Sequence, residues 1–447
     1  MRRTSAKPAM TPTGRKQSIA SGAIVAFLGQ LSSYTLAFTG TLLVSRALGP
    51  QGRGQMAVAI TAATSFFAVS HLSVDLSATY MFARRRLELG TISRVMATLA
   101  LIVAPIALLL QAGFFLGARD TVFEGVDPAA VLIAALTVPF AIHLVWLMVL
   151  FQLSERLLRS QIASVIAAAL QLAGVGILAV TGRLTVVTAL LLYAGNTVSA
   201  WLLHVIWGRR WLSLVPARDV SAIQRVVGYA IRLHPGYLFW FLLLRSDILL
   251  VNALLGTRQA GLYSIAVLVA EMILLLSAPI AVAVLPVQSL QDDAAAAALT
   301  FKAVRFNVFL AALLAGGFAV AMPLVIPLVF GPSFAPAYGA MLALLPGVVA
   351  MAGYRPLYNW LLREGRAATS TAICASAFLV NIALNVVLLP WLGIVGAGVA
   401  SSLAYAGLTI GFLVWGLRVS GLTLRAALRP TLEDVESIRR LVRRIGS

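Results

Sequence analysis

Charge is what this 447-residue chain has least of: 11% of its residues are Asp, Glu, Lys or Arg, against about 25% in soluble proteins. A water-facing shell for a protein of this length cannot be assembled from so few. Its one cysteine, Cys374, excludes an internal disulfide and a cysteine-rich zinc site. Neither a GxxxxGK[ST] phosphate loop nor an HExxH zinc motif occurs, which counts against ATPase and zinc-hydrolase chemistry. No cofactor is expected. Acid is scarcer than base, 15 residues against 34, for a net charge of +19. That balance ordinarily points to nucleic acid, but such modules gather cations on a folded surface with stacking aromatics. Here the cations sit in short clusters between long apolar runs, so no nucleic-acid partner is expected.

What the chain has in abundance is hydrocarbon, 60% of residues. A membrane span needs about 20 largely apolar residues, and the charge breaks leave twelve such stretches. The first two are 18–44 and 55–82, the tenth is 336–362, and the last two are 368–390 and 393–417. With the N-terminus in the cytoplasm, 27 cations fall on the cytoplasmic side and five outside, and Arg245 and Arg355 lie within spans. The positive-inside rule therefore puts both termini in the cytoplasm, and no outside connection is long enough to house a catalytic domain.

The stretch ALGPQGRGQMAVAI (Ala47–Ile60) returns as LLGTRQAGLYSIAV (Leu254–Val267) without a gap, 207 residues later. Each half is thus a six-span unit. Six is even, so the second unit enters the membrane in the same sense, and the halves are parallel repeats about an axis along the membrane normal. The expected organisation is a basic tail (1–17), a six-helix bundle (18–207), an interfacial linker (208–227), a second six-helix bundle (228–417) and an amphipathic cytoplasmic tail (418–447). In that tail Leu432, Val435, Ile438 and Val442 recur at helical spacing and could rest on anionic membrane lipid.

At RALGPQGRGQ (Arg46–Gln55), RSDILLVNALLGTRQAGLYSIA (Arg245–Ala266) and NVVLLPWLGIVGAGVASSLAY (Asn385–Tyr405) the sequence resembles the polysaccharide-biosynthesis flippases, exporters of lipid-linked oligosaccharides. The resemblance implies an all-α fold of about twelve transmembrane helices in two bundles around a central cavity, similar to the multidrug and toxin extruders. It also implies an undecaprenyl-diphosphate-linked sugar as cargo, a bacterial inner-membrane location, and other polysaccharide assembly proteins as partners.

A charge at mid-bilayer costs at least about 2.5–3.5 kcal/mol and usually faces a cavity. Arg245 stands 13 residues from both Arg232 and Arg258, about 20 Å of helix from either flank, too far to snorkel. Its guanidinium could fork onto a diphosphate, or pair structurally with Asp247, Asp75 or Glu271. His234, Tyr237, Phe241 and Asn252 share its face, and Gln30, Tyr34, Thr41 and Ser45 form the equivalent stripe on the first span. Arg355, with Tyr358 and Asn359 on its face, either lines the cavity or reaches the cytoplasmic interface. His71 and Asp75, four residues apart, share a helical face and form either a proton-coupling pair or a packed structural one. Glu271 could titrate or neutralise Arg245. Asn381 and Asn385 are expected in interhelical hydrogen bonds.

The leading function is thus a flippase with Arg245, Arg355, Gln30, Tyr34, Tyr237, Asn252 and Asn359 toward the cargo and His71, Asp75 and Glu271 toward a coupling ion. A drug or cation antiporter of the same fold is the alternative, with a predominantly acidic cavity. An integral-membrane glycan-processing enzyme is a third, and it lacks the expected carboxylate cluster.

Overall fold

The computed structural model describes residues 19–213, 215–290 and 293–429, without the side chains of 19–27 and 276–290. The basic tail 1–17 and the helical pattern beyond Pro430 lie outside the described residues. The regular elements described are all helices: α1 (Ile19–Ser70), α2 (Val74–Ala83), α3 (Leu89–Gly117), α4 (Pro128–Leu153), α5 (Leu157–Val180), α6 (Val186–Gly208), α7 (Val220–Leu255), α8 (Thr257–Leu290), α9 (Asp293–Phe330), a 3-10 turn at Pro332–Phe334, α10 (Ala337–Met351), α11 (Tyr354–Arg363), α12 (Ala367–Ser420) and α13 (Leu424–Leu428). Ten segments among the described residues are long and apolar enough to cross a membrane. The protein is a multi-pass membrane protein.

Two of those segments are double length. The 52 residues of α1 and 54 of α12 would measure about 80 Å if straight, against a hydrocarbon core of about 30 Å. Each turns at one glycine, Gly49 (φ 63, ψ −174) or Gly393 (φ 60, ψ −145). Gly256 (φ 83, ψ 171), between α7 and α8, adopts the same conformation. This combination of positive φ and extended ψ is essentially closed to residues with a Cβ. Each is preceded by leucine and followed five residues later by another glycine: Leu48, Gly49, Gly54; Leu255, Gly256, Gly261; Leu392, Gly393, Gly398. One turn motif thus serves three connections, where a ten-residue loop had been expected between the first two spans. In α12 the fold-back is direct, since Asn381 Nδ2 donates to Ser401 Oγ at 3.2 Å across the two arms.

The second glycine of the motif lets backbones touch. A Cβ on Gly54 would overlap the Thr257 carbonyl oxygen, and one on Gly261 would overlap that of Pro50. Residues 50 and 54 correspond to 257 and 261 at the repeat offset, so the contact is reciprocal. It marks the place where the repeat axis passes between α1 and α8. Small residues allow such close crossings.

Two spans depart from single straight helices. The second breaks at His71–Ser73, between α1 and α2, and the tenth breaks at Ala352–Gly353, between α10 and α11. Pro356, which has no N–H to give the carbonyl of residue 352, accounts for the latter, but nothing in His-Leu-Ser accounts for the former. The linker also differs from expectation, because α7 already begins at Val220. Its start is capped by Asp219, whose Oδ1 accepts from Ala222 N–H at 3.1 Å. The residues before it lie along α3, where Ser93 Oγ donates to Ser213 O at 2.7 Å and Ala217 N–H to Thr98 Oγ1 at 2.7 Å.

Candidate functional site

The functional candidates fall in three layers along α7, measured from the end of the bundle where Gly49, Gly256 and Gly393 turn, the far end. The opposite, terminal end is where α1 begins and α12 finishes. At 1.5 Å per residue, Asn252 lies about 6 Å from Gly256, Arg245 about 16 Å and His234 about 33 Å.

The far layer is a seal. Asn252 is 2% exposed and its Nδ2 donates to Val122 O at 2.8 Å and Glu124 O at 3.2 Å, in the connection between α3 and α4. It belongs to this seal and not to a cargo-facing wall, because its amide is spent on carbonyls of the other half. Arg46 makes the reverse tie: Nε donates to Val329 O at 2.7 Å and Nη2 to Leu328 O. Those carbonyls close α9, where helical partners run out and the dipole favours a cation. Gln51 to Thr257 and Arg53 Nε to Ser264 Oγ at 3.2 Å add to the closure. Replacing Arg46 and Asn252 together by alanine should release the far end. At about 1–3 kcal/mol for each latch, the far-open population should rise at least about tenfold. Spin-label distances between Arg119→Cys and Arg258→Cys measure it, and an unchanged distribution would remove the latches from the closure.

The middle layer holds an ion pair. Arg245 Nη1 and Nη2 donate to Glu271 Oε1 and Oε2 at 3.1 and 2.9 Å, a bidentate fork, with side chains 31% and 22% exposed. Of the structural partners weighed for Arg245, Glu271 is the one in contact. The guanidinium is therefore not a free cation, yet the pair remains open to the space beside it. Asp247 points away into the second bundle and is wholly buried. Its Oδ1 accepts from Ile248 N–H at 2.8 Å, and its Oδ2 accepts from Tyr263 OH at 2.6 Å and Ser401 Oγ at 3.1 Å. Asn381 and Asn385 continue this network, with Asn385 Nδ2 donating to Asn381 O at 2.9 Å.

The third layer gathers residues from both broken spans around α7. His71 and Asp75 stand 3.6 Å apart at the break between α1 and α2. The His71 ring meets Tyr237 at 4.7 Å and His234 at 5.6 Å. Tyr237 contacts Trp240 at 6.0 Å, and Arg355, from the break between α10 and α11, lies over the Trp240 ring at 5.6 Å. Arg355 is exposed, and Asn359 follows it half-buried on α11. The buried Trp240 Nε1 has no hydrogen-bond partner among the described residues. Helix breaks suit this layer, because unwound backbone is tolerated at membrane depth where it lines a polar space or is buried in protein. Gln30 and Tyr34 are exposed on α1, with Gln30 Nε2 donating to Tyr34 OH at 3.1 Å. Neither hydrogen-bonds to this cluster among the described residues.

Comparison with known proteins agrees with this architecture. The inward closed conformation of the lipid II flippase MurJ superposes with a TM-score of 0.68 at 11% identity, covering 88% of this chain and 90% of that one. An inward-facing multidrug resistance MATE family transporter of the MOP superfamily gives 0.66 at 14% identity over 89% and 98%. A MOP superfamily transporter from Pyrococcus furiosus, described as having a binding pocket of reverse polarity, gives 0.61 at 13% over 92% and 95%. At these identities the likeness is one of fold. No curated protein matches by sequence. The model of the polysaccharide biosynthesis protein family, however, matches residues 19–290, more than half the chain, and this protein belongs to that family.

Proposed function

We propose that the protein is a flippase, carrying an undecaprenyl-diphosphate-linked oligosaccharide from the cytoplasmic to the outer leaflet of a bacterial inner membrane by alternating access. The terminal end is then cytoplasmic, as the cation tally favours, and the sealed far end faces outward. The observation that carries the reading is Arg355. It is an exposed guanidinium at a helix break between the halves, stacked on Trp240, with no ion pair among the described residues. A forked, permanently charged donor suits a diphosphate. Arg245 joins it once the cargo competes with Glu271. Gln30, Tyr34, Tyr237 and Asn359 supply hydrogen bonds to the head group, while the polyprenyl tail remains in lipid. An inside-negative potential drives an anion outward by about 2.3 kcal/mol per charge per 100 mV. The exposed Arg84, Arg85 and Arg86 at the terminal end offer contacts to anionic lipid or to other polysaccharide assembly proteins.

One observation favours the alternative, a drug or cation antiporter. The two arginines between the halves are matched by two carboxylates, Asp75 and Glu271, and Arg245 is neutralised. Deleting the gene separates the readings: lipid-linked glycan should accumulate on the cytoplasmic face, whereas unchanged glycan with altered dye efflux supports the antiporter. Complementation with Arg355→Ala should restore less than about a tenth of export, since a hydrogen bond to a charged group is worth about 1.5–3 kcal/mol. Arg355→Lys should recover part of it. Normal export by Arg355→Ala would take the diphosphate from this residue.

A further inference from the structure

The break in the second span is strained and must be held. Leu72 and Ser73 have φ of 54 and 52, two adjacent left-handed residues that each carry a side chain, at a cost of about 1–2 kcal/mol apiece. The holding group comes from the other half. His234 Nε2 lies 3.0 Å from Val69 O and Nδ1 lies 3.2 Å from Ser73 Oγ. A carbonyl can only accept, so Nε2 bears the hydrogen and Nδ1 accepts from the serine hydroxyl. Below this point α2 lies on α7: Ser77 Oγ donates to Val226 O at 2.7 Å, and Tyr80 stacks on Tyr229 at 4.2 Å.

The same donor count applied to His71 gives a different result. Nδ1 faces Ala68 O at 3.3 Å and must be its donor, which leaves Nε2 facing Asp75 Oδ1 at 3.6 Å. A neutral imidazole and an ionised carboxylate would then oppose two lone pairs. A proton on either group turns that repulsion into attraction, and Oδ1 is buried with no hydrogen-bond partner among the described residues. The break also places His71 at the C-terminal end of α1 and Asp75 in the first turn of α2, where helix dipoles favour a cation and an anion respectively. The groups facing the pair are His234 and Tyr237 from α7, with Tyr358 from α11 within electrostatic reach of Asp75 and Arg355 within reach of Tyr237. On α3, Glu88 and Arg94 lie at the terminal end, and His143 of α4 turns to Trp201, accepting from its Nε1 at 3.1 Å.

We infer that His71 and Asp75 form a one-proton site whose occupancy is tied to the break in the second span, making the proton the coupling ion of the flippase proposed above, on which this rests. In a continuous helix the N–H of Leu72 would claim Ala68 O, the acceptor that His71 now uses. When α2 leaves α7, His234 withdraws, Leu72 and Ser73 relax into the helix and both dipole ends disappear. His71 loses its acceptor, and the proton passes to water between the halves. The broken state binds the proton more tightly, so acid favours it and alkali favours the continuous span.

Spin labels at Glu88→Cys and Arg366→Cys, exposed at the terminal end of opposite halves, in a Cys374→Ala background, report this in lipid nanodiscs without cargo. Between about pH 8.5 and about pH 5.5 the ratio of close to distant populations should rise about tenfold, the factor given by a one-unit difference in proton affinity. Asp75→Asn and His71→Gln should each abolish the change, and either suffices if the other fails to insert. A ratio independent of pH, or a pH dependence that persists in either variant, overturns the site. Because no glycan is present, failure here leaves the flippase reading intact, and failure of glycan export leaves the proton site intact.

Discussion

Gly261→Ala is expected to be among the most disruptive single-methyl changes at the described residues. The added Cβ would overlap the carbonyl oxygen of Pro50 and stand 2.9 Å from the Gly54 nitrogen. Both are backbone atoms at a crossing of two spans, so no side-chain rotation relieves the clash. Overpacking a core by a methyl or two costs about 1–3 kcal/mol, and a backbone obstacle on both sides places this change at or beyond the upper figure. Gly54→Ala meets Thr257 in the same way and should match it. Gly407→Ala, on α12 with open space around it, is the control. Thermal unfolding in detergent, followed by loss of the monodisperse species, should drop by several degrees for the first two and little for the third. Equal midpoints for all three would mean that the halves do not meet at these glycines.

The second large effect concerns the ion pair. Arg245→Gln leaves Glu271 with no cation at mid-depth, and breaking a buried pair costs about 3–5 kcal/mol. Since both side chains are partly exposed, about 2 kcal/mol is the expected loss. Glu271→Gln should cost a similar amount by leaving the arginine unmatched. The double change Arg245→Gln with Glu271→Gln keeps two hydrogen-bonding amides and removes both charges, and should recover most of that stability. The double-mutant cycle therefore isolates the coupling. If Arg245 also meets the diphosphate, the stable double variant will still fail to export glycan; full export would confine Arg245 to a structural role. Additive single effects, with no recovery in the pair, would contradict the bidentate geometry.

Some of this site was open to a reading of the chain alone. Arg245 and Glu271 stood out because a charge far from any span end has no cheap explanation in hydrocarbon, Asp75 because it follows His71 by four residues, and each does occupy a polar contact between helices. Asp247 stood among the possible partners of Arg245, but a residue two places away projects to the opposite side of a helix, and it bonds Tyr263 and Ser401 instead. Asn252 was misplaced, because helical periodicity gives direction around an axis but not what stands opposite. The unwound second span left no mark in His71, Leu72 and Ser73, none of which is a glycine or proline. Its cause lies on another helix, in His234.

By itself the sequence determined that the chain crosses a membrane many times and that its halves repeat in the same orientation. These follow from hydrophobicity and charge placement, which act locally along the chain. The pairing of Arg245 with Glu271, the closure of one end by Arg46 and Asn252, the meeting of His71, Asp75 and His234, and the seating of Arg355 on Trp240 were decided by tertiary structure. Those contacts join residues up to 283 positions apart, and only helix packing sets which side chains come within hydrogen-bonding reach.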